Sequence, residues 1–173
     1  ETNSIKHIGT LQNIDQVWLA EGQDAEHVRG SAIKAATKDK VIVTQYRAYN
    51  HPKNGSLVYK LQYAGKSIVY ATDLEGYVEG DRRLINFAKG ADLLIHDAQY
   101  TMEQYTGPMT TQGYGHSTPE MACKVAQEAG VKQLALYHHD PKHDDYMIAK
   151  KEENAKKLFP NTITAVEGLT LNI

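Results

Sequence analysis

The sequence predicts a mixed α/β domain, and two observations carry that expectation. Between residues 40 and 71, short runs rich in β-branched and aromatic residues follow one another with turn signals between them, as in a β-meander. From residue 79 to the C-terminus, helical and strand patterns alternate.

Each segment has its own signal. Residues 1–38 are poorly defined: Val17-Trp18-Leu19 is a short apolar cluster, and the stretch to Ala36 is mixed. From Lys40 to Ala48, alternating Val41, Val43, Ile42 and Tyr46 predict a strand, and Tyr49 to Gly55 reads as a loop. Ser56–Tyr63 and Ser67–Ala71 flank Ala64-Gly65-Lys66 as a hairpin. Leu84, Ile85 and Ala88 predict a helix over 79–89, with Gly90 just past its end. Ala91–Ile95 is a short apolar strand. Ser117 and Glu120 have capping-box spacing, and Pro119 lies in the first turn of a helix whose apolar face is Ala122, Val125, Ala126 and Ala129. Gly130 stops it. Gln133–Tyr137 follows as a strand, then a helix from about Asp144 to Leu158. A final strand pair is expected near Ile163–Val166 and Leu169–Leu171.

Composition narrows the function. The chain has 173 residues, long enough for one domain with its own core. Nineteen Lys and Arg against 21 Asp and Glu give a net charge of -2, which excludes a strongly basic nucleic-acid binder. Cys123 is the single cysteine, so there is no disulfide framework and no cysteine-rich zinc module. No apolar run approaches the roughly 20 residues that span a bilayer. Glu1-Thr2-Asn3-Ser4 lacks the basic and apolar regions of a signal peptide, and the expected location is the cytoplasm. The absence of a starting Met predicts a processed product or a piece of a longer chain. Eleven tyrosines are expected to pack on sheet faces rather than form a stacking platform for bases.

Eight histidines are the surplus. Polar, ligand-capable groups fall just after several strands: His51, Asp73, His96 with Asp97, and His138 with His139 and Asp140. Strand ends hold side chains rigidly at an open rim, as a preorganised site requires. Any one of these is an ordinary loop residue, and Asp73 alone reads as a turn carboxylate. Together they predict a site for divalent metal bound through N and O. His143, with Asp144 and Asp145, is read as a helix N-terminus.

Five motifs in order carry a resemblance: Asn50-His51-Pro52, Tyr70-Ala71-Thr72-Asp73, Leu94-Ile95-His96-Asp97-Ala98, Gly115-His116-Ser117-Thr118-Pro119-Glu120 and Tyr137-His138-His139-Asp140-Pro141. Over roughly residues 40 to 145 the chain resembles metallo-β-lactamase-fold hydrolases, in the branch of tRNA 3′-processing endonucleases and cyclic-nucleotide phosphodiesterases. The resemblance implies the C-terminal part of a four-layer αββα sandwich. It implies two divalent metal ions, zinc first, with manganese or iron as alternatives. His51, Asp73 and His138 then resemble metal ligands, with Asp73 bridging. His116, with Asp73, resembles the catalytic pair, His116 contacting the scissile phosphate and assisting the leaving group. His96, Asp97 and His139 resemble residues that support the site or face substrate. The implied reaction is attack of a bridging metal hydroxide on a phosphodiester.

The sequence departs from the family in one respect. It contains no His-x-His-x-Asp-His string, and His7 and His27 stand alone. The expectation is one incomplete domain over 1–173, with residues 39–173 carrying the motifs. It is active when the missing ligand portion is supplied, by a second polypeptide or through a homo-oligomer. The expected substrate is a small phosphodiester, with no membrane and no long RNA: only a hairpin fits between His51 and Asp73, and the charge is near neutral. The alternatives are a non-catalytic or assembly subunit that keeps the half-fold, or a metallo-hydrolase of another ester.

Overall fold

A computed structural model of the chain describes residues 41–173. The expectations placed on Val17–Leu19, His7, His27 and the rest of 1–38 lie outside the described residues. Ten elements follow in order: β1 Ile42–Ala48, β2 Ser56–Tyr63, β3 Lys66–Ala71, α1 Arg82–Ala88, β4 Leu93–Asp97, α2 Met102–Thr106, α3 Pro119–Ala129, β5 Gln133–Tyr137, α4 Asp145–Leu158 and β6 Thr162–Thr164.

The six strands form one sheet in chain order. β1, β2 and β3 pair antiparallel, and β3 to β6 pair parallel. Side chains alternate across the sheet, so each strand splits its residues between two faces. One face carries the row Val69, Leu94, Leu134 and Thr162, and the row Ala71, His96, Leu136 and Thr164, all buried. α1, α3 and α4 cover it: α3 packs on β4, β5 and both other helices, and α4 packs on β6. The opposite face carries Tyr70, Ile95 and Ile163, which are only half-buried. The helix side therefore holds the core.

Strand direction places the site. β1, β3, β4 and β5 run the same way, so their C-terminal ends, Ala48, Ala71, Asp97 and Tyr137, open on one edge. Ligand sites in parallel sheets form beyond that edge, where each strand hands over to a loop.

The structure corrects several boundaries. β4 runs to Asp97, two residues past the apolar stretch, because the ladder to β5 continues through His96–Leu136 and Asp97–Tyr137. His96 and Asp97 thus lie in the strand, not after it. α1 starts at Arg82, capped by the Asp81 carboxylate, which accepts from the Arg83 and Leu84 amides. α2 was not expected; Thr101 and Gln104 close its capping box. α3 is capped by Thr118, not Ser117, and ends at Gly130, whose φ of 62° only a residue without a side chain adopts readily. Only β6 of the final pair forms, since 169–171 has no ladder partner among the described residues. No helix of the described residues is long and apolar enough to cross a membrane.

Candidate metal centre

Four loops at the C-terminal edge bring the site together. His51 comes from the β1–β2 loop, Asp73 follows β3, Asp97 ends β4, His116 precedes α3 and His138 follows β5 directly. Ligating atoms of His51, Asp73 and His116 all lie within 4.8 Å of one another, as do those of Asp97, His116 and His138. His138 Nε2 is 3.1 Å from Asp73 Oδ1. The His116 ring stacks on His138 at 4.8 Å between centroids and meets His51 edge-on at 5.2 Å.

Asp97 is the hub of this cluster and is fully buried. Its Oδ2 accepts from His116 Nδ1 at 2.8 Å and from the Asp73 amide at 3.1 Å. Its Oδ1 accepts from the Ser117 amide at 3.0 Å and the Gln99 amide at 3.1 Å. One carboxylate thus fixes two site residues and the chain on either side of them. With Nδ1 committed to Asp97, His116 leaves Nε2 facing the cluster. Burial alone would lower the His116 pKa, but the hydrogen bond to Asp97 and the charges of Asp97, Asp73 and Glu75 outweigh it and raise the pKa above the usual histidine range.

The backbone is under tension at two of these residues. Asp73 has φ 53° and His138 has φ 58°, left-handed values that side chains other than glycine adopt at a cost of about 1–3 kcal/mol. Such strain persists where surroundings over-determine it, and here it aims both side chains off strand ends into one space. His138 Nδ1 is buried without a hydrogen-bond partner among the described residues. Imidazole and carboxylate donors converging from separate strands, with no thiolate, suit zinc, manganese or iron. The donor set fits divalent metal.

The remaining expected residues stand apart. Alternation along β4 sends His96 to the helix face, where it is completely buried and its Nδ1 sits 2.7 Å from the Asp97 carbonyl. Burial lowers its pKa. His139 is not in either cluster; burial and then the Lys151 charge push its pKa down to about 4.

Two residues organise the site without having been singled out for it in the sequence: Glu75, and Asn50 of the first motif. Glu75, read as part of a turn, accepts from the Tyr105 hydroxyl at 2.7 Å and from the Gly113 and Gly115 amides at 2.8 and 3.0 Å. It thereby ties the loop before His116 to the loop after Asp73. Asn50 closes the ring: its carbonyl accepts from the Glu75 amide at 3.0 Å, and its side-chain amide donates back to the Glu75 carbonyl. Gly115 has φ 89°, and a Cβ there would lie 2.3 Å from Pro52 Cδ and 2.6 Å from His51 Cδ2. Only glycine lets the His51 loop approach this closely.

Several known proteins resemble this chain in sequence and fold. A family model described as "Beta-lactamase superfamily domain" matches residues 8–139. Ribonuclease Z of a Synechococcus species is 37% identical over 112 residues, covering 63% of this chain and 33% of that protein. The metallo-beta-lactamase fold protein YhfI from Bacillus subtilis superposes with a TM-score of 0.58 at 22% identity, covering 72% of this chain and 45% of that one. Human tRNase Z, short form, gives 0.57 at 22%, covering 77% of this chain and 43% of that one. The chain spans about a third of the length of the curated relatives it matches.

These relatives overturn the expected partner, a small phosphodiester with no long RNA, since they are named for RNA. Net charge is a sum over the whole chain and does not report the field at one rim. The short His51–Asp73 interval likewise describes only the part of the fold present here. Matched over most of its length and sharing their sheet, the chain belongs to the beta-lactamase superfamily, with the metallo-β-lactamase fold.

Proposed function

We propose that this chain forms part of a metal-dependent phosphodiesterase that hydrolyses RNA, with His51, Asp73 and His138 holding divalent metal. The observation that carries it is His116, clamped by Asp97 between His51 and His138 and beside Asp73. Bound metal supplies Lewis-acid charge and lowers the pKa of a nucleophilic water. Three ligands are fewer than the four that each tetrahedral zinc takes, so groups other than these three complete the coordination.

The chain's own residues divide the remaining work. His116 presents Nε2 to the scissile phosphate and delivers a proton to the departing oxygen. Asp97 accepts from Nδ1–H and stabilises the imidazolium that donates, so that the transfer from Nε2 leaves a neutral ring with its proton on Nδ1. Glu75 fixes the position of the Gly113–Gly115 loop, and so the reach of His116. His96 and His139 back the strand ends from the core without touching substrate.

Equilibrium dialysis with zinc or manganese, followed by incubation with a tRNA bearing a 3′ extension, tests the reading. With the remaining ligand portion supplied, we expect metal retention by wild type, loss of it in His51→Ala and Asp73→Ala, and cleavage that His116→Ala slows by roughly 100- to 10,000-fold. A completed assembly that retains no metal and leaves the RNA intact overturns the proposal.

A further inference from the structure

His51, one residue of the candidate metal cluster, also lines a pocket of about 420 Å³ together with Tyr49, Pro52, Lys53, Glu75 and Tyr77, among others. Its volume falls in the range of small-molecule sites. Tyr49 and Tyr77 stand at it largely bare to solvent, 76% and 57% exposed; Tyr63, Tyr114 and Tyr146 are exposed as well, but Tyr49 and Tyr77 are the two that share this lining. Two large aromatic faces left in water at the rim of a site are a cost to the folded chain that a ligand would offset.

The pocket and the metal cluster share their supports. Tyr49 is two residues from His51, Tyr77 four from Asp73, and Gly113, also in the lining, three from His116. A molecule lying across the cluster therefore extends into the pocket without leaving these loops. The only carboxylate in the lining is Glu75, and both its oxygens are already bonded to Tyr105, Gly113 and Gly115. Lys53 supplies a positive charge on the same wall. Aromatic faces, one cation and a spent carboxylate fit a nucleotide: a flat base to stack and a phosphate to neutralise.

We propose that this pocket is a nucleobase subsite, receiving the base next to the scissile phosphate against the Tyr49 and Tyr77 rings, with Lys53 on that nucleotide's phosphate. The inference rests on the RNA-hydrolase reading above and adds where a substrate base is held.

Fluorescence anisotropy with a labelled single-stranded RNA of about 12 nucleotides, within the site sizes of single-strand binders, tests it in chelator, so that the strand stays intact. The full 173-residue chain is compared with the pair Tyr49→Ala/Tyr77→Ala and the pair Tyr49→Phe/Tyr77→Phe. The alanine pair should bind roughly 5- to 150-fold more weakly, the value of a stacked base, and the phenylalanine pair should bind like wild type. An abasic nucleotide moved along the strand should reproduce the loss at one position in wild type and add nothing in the alanine pair. Lys53→Ala should lower the salt slope by about one. RNA binding by wild type with the alanine pair within twofold of it overturns the subsite and leaves the hydrolase reading standing. No RNA binding by wild type overturns both.

Discussion

Asp97 and Gly115 show how single residues set this site. Four donors converge on one buried carboxylate, and two of them belong to His116 and Asp73. Gly115 works by what it lacks. Gly115→Ala must push Pro52 and His51 aside and adopt a left-handed φ, so it should cost about 1–3 kcal/mol in urea unfolding. His139 allows a test by pH. Its folded pKa of about 4 lies below its ordinary value of 6.5, so between these the unfolded chain binds more protons. The contribution of His139 to stability is therefore complete above pH 6.5 and falls as pH drops toward 4, whereas that of His116, whose pKa is raised, is lost as pH rises. In His139→Phe the slope of thermal stability against pH should flatten in that window, with His96 and His143, also lowered by burial, sustaining the remainder. The histidines and Asp73 were legible in the sequence because each sits in a short motif. Glu75 was not, since its side-chain partners lie 30 to 40 positions away, and Gly115 was read as part of a motif without the close approach to Pro52 and His51, 63 and 64 positions away, that requires it.

Segments differ in how their ends are decided. The helix caps follow local chemistry, and Asp144 at α4 was readable for that reason. α3 is instructive because its cap moved by one residue. The Ser117 hydroxyl is spent elsewhere, donating to the Leu74 carbonyl at 2.7 Å and accepting from the Gly76 amide at 2.8 Å, so Thr118 takes the cap. Ser117→Ala leaves the buried Gly76 amide unpaired, about 1–3 kcal/mol. Thr118→Ala loses a long cap bond of 3.4 Å, about 0.5–1 kcal/mol. Chemical denaturation should show the Ser117 loss as the larger of the two, although Thr118 and not Ser117 is the cap. Strand ends, by contrast, follow ladders. β4 gains His96 and Asp97 through pairing with β5, which apolarity along the sequence does not reveal.

Among the described residues, helices cover one sheet face and the site occupies one rim. Ligand binding at that rim should be felt across the sheet, because His51, Asp73 and His138 follow three different strands, β1, β3 and β5. Zinc at 100 times its dissociation constant should raise stability by about 2.7 kcal/mol, seen as a shift in Tm, and Asp73→Ala should abolish the shift.

The sheet's strand order has a further consequence. Because neighbours in space are neighbours in sequence from β1 to β6, each strand can dock on its predecessor as synthesis proceeds. His51 and Asp73 are in place once the meander has formed, but His138 lies one residue beyond β5 and joins only when that strand closes. On the proposed ligand set, the third ligand therefore arrives only with β5.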